Sequence, residues 1–130
     1  MQRYLNEMTL QGDLVNHPCL DYFPDGTAVL RITLETRHTR FDQHTDEILC
    51  ACEHHDAVLY GHQAEQVAWS LAKGDQLWLR GPVSHRAFRD GITGRQGVIW
   101  EVEARQIKIM SIRRDSGQRS HATRLWLNGR

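Results

Sequence analysis

The stretch that decides the fold runs from Pro24 to Thr36 and reads PDGTAVLRITLET. Its first residues suit a tight turn, because Pro24 presets φ and both Asp25 and Gly26 favour the turn positions that follow. Beyond the turn, side chains of two kinds alternate along residues 27–35. One face takes the apolar residues Ala28, Leu30, Ile32 and Leu34. This alternation predicts a β-strand with one side in a core and the other side in water.

Further strands precede and follow this one, and a single helix lies among them. The helix is predicted over 62–73, where Ala64, Val67, Ala68 and Leu71 form one apolar stripe. The other predicted strands cover 4–14, 48–61, 76–81 with its continuation 83–88, and 98–110, and a short extended piece covers 19–23. The predicted connections are a long mobile segment over 37–46 and a hairpin loop over 89–97. Five principal strands with one helix between the third and the fourth predict an all-β protein, an OB-fold five-stranded Greek-key barrel.

The charge of the chain is unevenly distributed along its length. The 130 residues carry 16 Lys and Arg and 16 Asp and Glu, so the formal net charge is zero. Residues 1–110 hold 11 basic and 15 acidic residues, a balance of −4, and residues 111–130 hold five basic residues and one acidic residue, a balance of +4. We therefore expect one folded domain over 1–110 and a basic, flexible tail over 111–130. A nucleic-acid site on the folded part would depend on local clusters and stacking.

Composition narrows the class of protein. No apolar run reaches membrane-spanning length, and the first residues lack the pattern of a secretory signal. The three cysteines argue against a disulfide framework and fit a reducing compartment, so we expect a cytoplasmic protein without a membrane partner. The sequence contains no nucleophile elbow, phosphate-binding glycine loop, zinc-protease motif or matched carboxylate pair. Neither an enzyme activity nor a cofactor is therefore expected.

One group of residues leaves a metal site open as an alternative. Cys50, Cys52 and His54 stand at positions i, i+2 and i+4, so one face of a strand presents two thiols and an imidazole. Structural zinc sites favour Cys-x₂₋₄-Cys pairs with a second ligand pair elsewhere in the chain. Buried free cysteines are the plainer interpretation, and no metal is expected. A metal-dependent enzyme that uses Cys50, Cys52 and His54 is the least favoured hypothesis.

The spacing of apolar, glycine and proline residues resembles that of bacterial single-stranded DNA-binding proteins over residues 4–110. The matching residues are Asn6, Leu10, Gly12, Leu14, Pro18, Tyr22, Pro24, 26–29 and Leu34 in the first part, and His55, 58–61, Ala64, Glu65, Leu71, Lys73, Gly74 and 76–81 in the second. The related primosomal replication protein N is also similar, particularly at 34–35, 61–62 and 106–107. The resemblance implies an OB-fold that binds single-stranded DNA in replication, recombination and repair.

The resemblance also implies which side chains stack on unpaired bases. Phe88 matches a position where the family commonly has a stacking Trp, and Tyr60 matches a position of Phe or Tyr. Phe41 falls beside a third stacking position, and His54 replaces a further Trp with a smaller ring. Without the resemblance, the three aromatic residues would be interpreted as ordinary core or surface residues, with core packing favoured because large aromatic side chains are predominantly buried.

Arginines cluster around these aromatic residues. The candidates are Arg37 and Arg40 on either side of Phe41, and Arg80, Arg86, Arg89 and Arg95 around the loop 89–97. Basic residues interleaved with aromatic ones are typical of grooves that hold single strands, so we expect phosphate contacts from these arginines. The alternative is an ordinary solvated loop.

We expect a protein that binds single-stranded DNA with little sequence preference. The resemblance also implies a homo-oligomer, a dimer or a tetramer, formed through exposed sheet edges such as the first strand. The alternative is an accessory protein similar to primosomal replication protein N, acting mainly through contacts with replication or restart proteins. The near-neutral charge and an arginine-rich 111–130 without the acidic, Phe-terminated tip of replicative family members favour this alternative.

Overall fold

A computed structural model describes residues 3–111, and these residues form eight strands and one helix. The elements in chain order are β1 Met8–Leu14, β2 Cys19–Tyr22, β3 Ala28–Asp42, β4 Glu47–Tyr60, α1 Gly61–Ala68, β5 Gln76–Gly81, β6 Val83–Arg89, β7 Gln96–Glu103 and β8 Gln106–Ser111. The expected flexible tail lies outside the described residues, apart from its first residue. No helix in the described part of the chain has the length and apolar character needed to cross a lipid bilayer.

The turn before β3 has the geometry that its sequence predicts. Gly26 has a φ of 92°, and its N–H donates to the Phe23 carbonyl at 2.8 Å. The Asp25 carboxylate accepts a hydrogen bond from the Thr27 N–H at 2.9 Å. The turn connects β2 to β3, and the two strands pair in antiparallel fashion. The turn therefore fixes the first residue of β3. Because side chains alternate along a strand, it also fixes which residues of β3 lie on each side of the sheet.

The strands form one sheet with the pairing order β6-β7-β4-β3-β1-β5-β8, and β2 is added beside β3. Strands β5 and β6 lie near opposite ends of this order, yet in the chain they are separated by Pro82 alone. The sheet must therefore curl back on itself, although its pairing is not closed within the described residues. Backbone hydrogen bonds hold the curl, since the Glu103 N–H donates to the Pro82 carbonyl at 2.9 Å. The helix follows the third long strand, as predicted.

The curl encloses the apolar face of β3. Leu30 and Leu34 are completely buried, and Ala28 and Ile32 are nearly so, which confirms the predicted alternation. They pack with apolar residues from the other strands and the helix, among them Leu10, Leu14, Leu59, Ala64, Leu77 and Leu79. Each such leucine contributes about 1.5–3 kcal/mol through burial. This core decides which side of the sheet faces solvent.

The segment 37–46 differs from its prediction. Instead of a long mobile connection, it continues β3 and begins β4, and the two strands pair from Val29↔Tyr60 to Asp42↔Glu47. The turn between them is short, with a hydrogen bond from the Asp46 N–H to the Asp42 carbonyl at 2.8 Å. Both sides of this hairpin arm are largely exposed, so its residues need not alternate between apolar and polar. The prediction was wrong because that alternation was the signal it used.

The helix is also shorter than predicted, since α1 ends at Ala68 rather than at residue 73. The segment that follows is irregular, and the Asp75 carboxylate accepts a hydrogen bond from the Ala72 N–H at 3.0 Å. Gly74 has a φ of 99°, and its N–H donates to the Leu14 carbonyl at 2.7 Å. Leu71 reaches the core from this segment. Its N–H donates to the Val67 carbonyl at 3.2 Å, so Leu71 keeps one turn-like hydrogen bond beyond the end of α1.

One edge of β1 is open in the described part of the chain. Strand β1 pairs with β5 from Met8 to Asp13, whereas it pairs with β3 at Asp13 and Leu14. Residues 8–11 thus have an edge on which a further strand could pair, whereas Gly12 lies against the Glu35 carbonyl of β3. The expected homo-oligomer stays a prediction, and this edge is its simplest place of contact.

Candidate nucleic-acid interface

The side chains of β3 and β4 that point away from the core form one continuous face. Residues directly opposite each other in an antiparallel pair project to the same side. The pairs on the side away from the core are Val29↔Tyr60, Arg31↔Val58, Thr33↔Asp56, Glu35↔His54, Arg37↔Cys52, Thr39↔Cys50 and Phe41↔Ile48. We call this side, with its continuation on neighbouring strands, the outer face.

Strands β6 and β7 extend the outer face. Strand β7 lies parallel beside β4, and Glu103 is opposite Val58 of the outer face. Alternation along β7 and its partner β6 then assigns Glu101, Arg86 and Phe88 to the same side. The outer face therefore brings together the predicted residues Phe41, His54, Tyr60, Phe88, Arg37 and Arg86.

The three aromatic rings of the outer face are accessible to solvent. The exposed fractions are 58% for Phe41, 38% for Tyr60 and 41% for Phe88. Core packing, the alternative interpretation of these residues, is therefore wrong. A partly exposed ring on a strand can offer one side to a planar base while its other side contacts protein.

Two of the three rings, those of Tyr60 and Phe88, lie next to other residues of the protein. Tyr60 lies beside Phe23, with ring centroids 6.1 Å apart and planes inclined by 31°. Phe88 lies over Gly97, where an added Cβ would stand 2.5 and 2.7 Å from two ring carbons. Gly97 is not among the glycines with positive φ, so the ring, not the backbone, explains the missing side chain. The absence of a side chain at Gly97 thus allows the Phe88 ring to lie against β7.

Glu35 is the centre of a charged cluster on the outer face. Its Oε1 lies 3.0 Å from Nε2 of His54, and its Oε2 accepts a hydrogen bond from Nε of Arg37 at 2.7 Å. Arg37 also donates to Oδ2 of Asp13 at 3.1 Å. The hydrogen bonds from His54 and then Arg37 lower the pKa of Glu35. Both predicted site residues of this cluster therefore already contact carboxylates, which a phosphate would have to replace.

A second carboxylate, Glu101, joins two arginines from different strands. Its Oε2 accepts a hydrogen bond from Nη1 of Arg31 at 3.0 Å, and its Oε1 lies 3.4 Å from Nε of Arg86. The Glu101 side chain is 5% exposed, and each arginine side chain is 43% exposed. Neither Arg31 nor Glu101 was predicted from the sequence. The outward position of Arg31 in the alternating stretch was a signal that could have found it.

Three predicted arginines lie outside the outer face, and the fourth, Arg80, lies on its distant continuation along β5. Arg40 and Arg89 alternate onto the opposite sides of their strands, and Arg95 lies in the connection between β6 and β7. None of these three forms an ion pair within residues 3–111. Arg80 is on β5, where its Nε donates to Oε1 of Gln106 at 2.9 Å and its guanidinium lies 5.4 Å from the ring centroid of Trp78. The structure does not bring Arg80 to the aromatic rings.

Residues 5–110 match the model of one known family, described as the single-strand binding protein family. The chain belongs to this family. The match includes β1 to β7 and all of β8 except its last residue. The resemblance on which the sequence interpretation rested is therefore confirmed for this single-strand binding protein family member.

Two solved structures are similar to this family member. A structure described as the Plasmodium falciparum SSB in complex with ssDNA has a TM-score of 0.72 and 20% sequence identity, and the match covers 87% of this chain and 99% of that chain. A deletion mutant of the single-stranded DNA binding protein from Thermus aquaticus has a TM-score of 0.69 and 26% identity over 82% of this chain. This chain spans 51% of the length of that Thermus chain. The likenesses confirm the predicted OB-fold.

Glu35 of this family member is expected to titrate below its ordinary pKa of 4.5, because His54 and Arg37 both hydrogen-bond to its charged form. Since the folded pKa is lowered, the stability that this cluster contributes is present above pH 4.5 and is lost as the pH falls through the lowered value. A pH titration of the Glu35 side-chain carboxyl by NMR measures it. In the variant His54→Ala the midpoint should rise toward the ordinary value, and an unchanged midpoint would contradict the assigned cause.

The cysteines differ from their predicted burial. Cys19, Cys50 and Cys52 are free and exposed. The last two lie on the hairpin arm of β4, which has no core on either side, and that explains the wrong prediction. His54 of the same face lies against Glu35. Among residues 3–111, no group of three or more His, Cys, Asp or Glu side chains is arranged to hold a metal ion.

Proposed function

We propose that this member of the single-strand binding protein family binds single-stranded DNA with little sequence preference. One observation carries the proposal: the exposed rings of Phe41, Tyr60 and Phe88 share one face of the sheet. Every base has a flat aromatic surface, so stacking on these rings tolerates any sequence. The structure described as a complex of the Plasmodium falciparum SSB with ssDNA, which has a similar fold, supports this assignment.

Phosphate contacts are expected from two groups of arginines. On strands β3, β4, β6 and β7, the outer face holds four carboxylates and three arginines, namely Glu35, Asp56, Glu101 and Glu103 with Arg31, Arg37 and Arg86. This balance attracts a polyanion weakly from a distance. Arg40, Arg89 and Arg95 on the two hairpins have no such carboxylate partners among the described residues, so they are the first contacts for phosphate. Stacking, at about 1–3 kcal/mol per base, then supplies most of the affinity.

The anisotropy of a fluorescently labelled oligo-dT, titrated with the full chain, tests the proposal. We expect saturable binding that weakens as salt increases, because bound phosphates release their counterions. Unlabelled oligo-dA and oligo-dT should both compete, whereas duplex DNA should not. Absence of binding at low salt, or equal competition by duplex DNA, would contradict the proposal.

A role in replication restart through protein contacts, similar to that of primosomal replication protein N, is the second candidate. The excess of carboxylates over arginines on the outer face favours it. The same titration separates the two functions. A protein that acts mainly through partners would bind oligo-dT weakly even at low salt, and it would tolerate the loss of an outer-face ring.

A further inference from the structure

Glu101 is a nearly buried charge on a face that should meet DNA. Its side chain is 5% exposed, although alternation along β7 directs it to the outer face. Removing a carboxylate from water is unfavourable unless cations and hydrogen bonds compensate. Arg31 and Arg86 provide this compensation, since each arginine contacts a different oxygen of the carboxylate. One acidic residue therefore fixes two guanidinium groups from separate strands.

Arg31 has to cross the sheet to reach this carboxylate. Strand β4 lies between β3 and β7 in the pairing order, so the Arg31 side chain passes over β4. Val58, directly opposite Arg31, is completely buried even though it belongs to the outer face. The aliphatic part of Arg31 is suited to cover it while the guanidinium continues toward Glu101. The ion pair with Glu101 thus holds the guanidinium end of Arg31 on the far side of β4.

The two arginines keep donors available after pairing. A guanidinium has five N–H donors, and the contacts with Glu101 use Nη1 of Arg31 and Nε of Arg86. Both arginine side chains are 43% exposed. Counted along the strands in register, Arg31, Glu101 and Arg86 fall at successive steps between the rings of Tyr60 and Phe88. The two arginines, with donors that Glu101 does not use, therefore lie between the two rings in register.

We propose that Glu101 is a positioning residue for strand binding. It holds the guanidinium groups of Arg31 and Arg86 in place for the phosphates that connect bases stacked on Tyr60 and Phe88. This role rests on the proposed function. Its benefit is preorganisation, because two long side chains ordered in advance lose less conformational entropy when the strand binds.

Charge counting alone predicts the opposite effect for Glu101. Removal of a carboxylate from a surface that binds a polyanion reduces repulsion and should strengthen binding. A positioning role predicts weaker binding after the same removal. The direction of the change in Kd therefore distinguishes the two explanations.

Glu103 offers a matched control on the same strand. It lies two residues beyond Glu101, and its register opposite Val58 assigns it to the outer face as well. Its carboxylate contacts Nε of Arg105 at 3.2 Å, and its side chain is 34% exposed. This pair joins residues two positions apart and connects no separate strands. The variants Glu101→Gln and Glu103→Gln thus remove the same charge, but the first alone releases two arginines.

The experiment compares the Kd of the unchanged chain, E101Q and E103Q for labelled oligo-dT by anisotropy. We expect about three- to tenfold weaker binding for E101Q, a loss typical of a charge-assisted contact, and equal or tighter binding for E103Q. Equal or tighter binding by E101Q would overturn the positioning role. In the background R31Q/R86Q, E101Q should have little further effect, and a full additional loss would show that Glu101 does not act through these arginines.

Failure of the unchanged chain to bind DNA and failure of E101Q to fold have to be distinguished from failure of the positioning role. If the unchanged chain does not bind oligo-dT, the proposed function fails first, and the positioning role fails with it. If thermal melting shows that E101Q is not folded at the assay temperature, Arg86→Lys replaces it. This variant keeps the charge but loses the planar donor group. We expect weaker binding for it with an unchanged salt dependence, and unchanged affinity would overturn the role.

Discussion

Replacement of Phe88 by Ala is expected to weaken the binding of single-stranded DNA by about 1–3 kcal/mol, or roughly five- to 150-fold in Kd. The substitution removes a ring that is 41% exposed on the outer face. Its loss should therefore eliminate one stacking platform and have little effect on folding. Titration of labelled oligo-dT by anisotropy gives the ratio of the two Kd values, and chemical denaturation checks that the variant is folded.

Trp69→Ala is the control for the loss of an exposed ring. Trp69 is 85% exposed and follows the end of α1, outside the strands that form the outer face. If stacking is confined to the outer face, this larger deletion should leave the Kd unchanged. Equal losses for Phe88→Ala and Trp69→Ala would show that ring exposure alone, without the sheet, accounts for binding. Phe88→Trp keeps a flat ring above Gly97 and should retain binding.

The parts of the fold that were predictable are those whose neighbours are close in sequence or enclosed in the core. The alternation of Ala28, Leu30, Ile32 and Leu34 predicted a half-buried strand, and all four side chains are buried. The hairpin arm of β3 and β4 was missed because neither of its sides has a core to enforce a pattern. The same reason explains why Cys50 and Cys52 are exposed.

The aromatic rings of the outer face were predictable, as were Arg37 and Arg86, whereas the ion pair between Arg31 and Glu101 was not. The resemblance indicated Tyr60 and Phe88, and both are accessible on one side of the sheet. The contact of Arg31 with Glu101 joins residues 70 positions apart. It exists because β7 lies parallel beside β4. The spacing of residues within either strand does not show that the two strands are neighbours. Such contacts between strands can be predicted only after the order of the strands in the sheet is known.

The second large effect is expected at Gly81, where β5 ends. A Cβ there would overlap the carbonyl oxygen of Glu103 and would stand 2.9 Å from the Glu103 carbonyl carbon and 3.1 Å from the Arg105 nitrogen. These are backbone atoms, which cannot rotate away as a side chain can. The chain would have to shift beside Pro82, at the junction where the sheet curls. We therefore expect Gly81→Ala to lower the free energy of unfolding by about 2–3 kcal/mol, at the upper end for overpacking.

Gly91→Ala is the matched control, because Gly91 has no heavy atom within 4 Å of an added Cβ and no positive φ. Its effect should stay within about 0.5 kcal/mol. Denaturant unfolding measures both variants, and equal midpoints for the two would show that β5 does not cross so closely. Gly81→Ala should reduce DNA binding in proportion to its unfolded fraction, whereas Phe88→Ala should reduce binding at unchanged stability. The two variants therefore distinguish a residue needed for the folding of the curled sheet from a residue needed for DNA binding on its outer face.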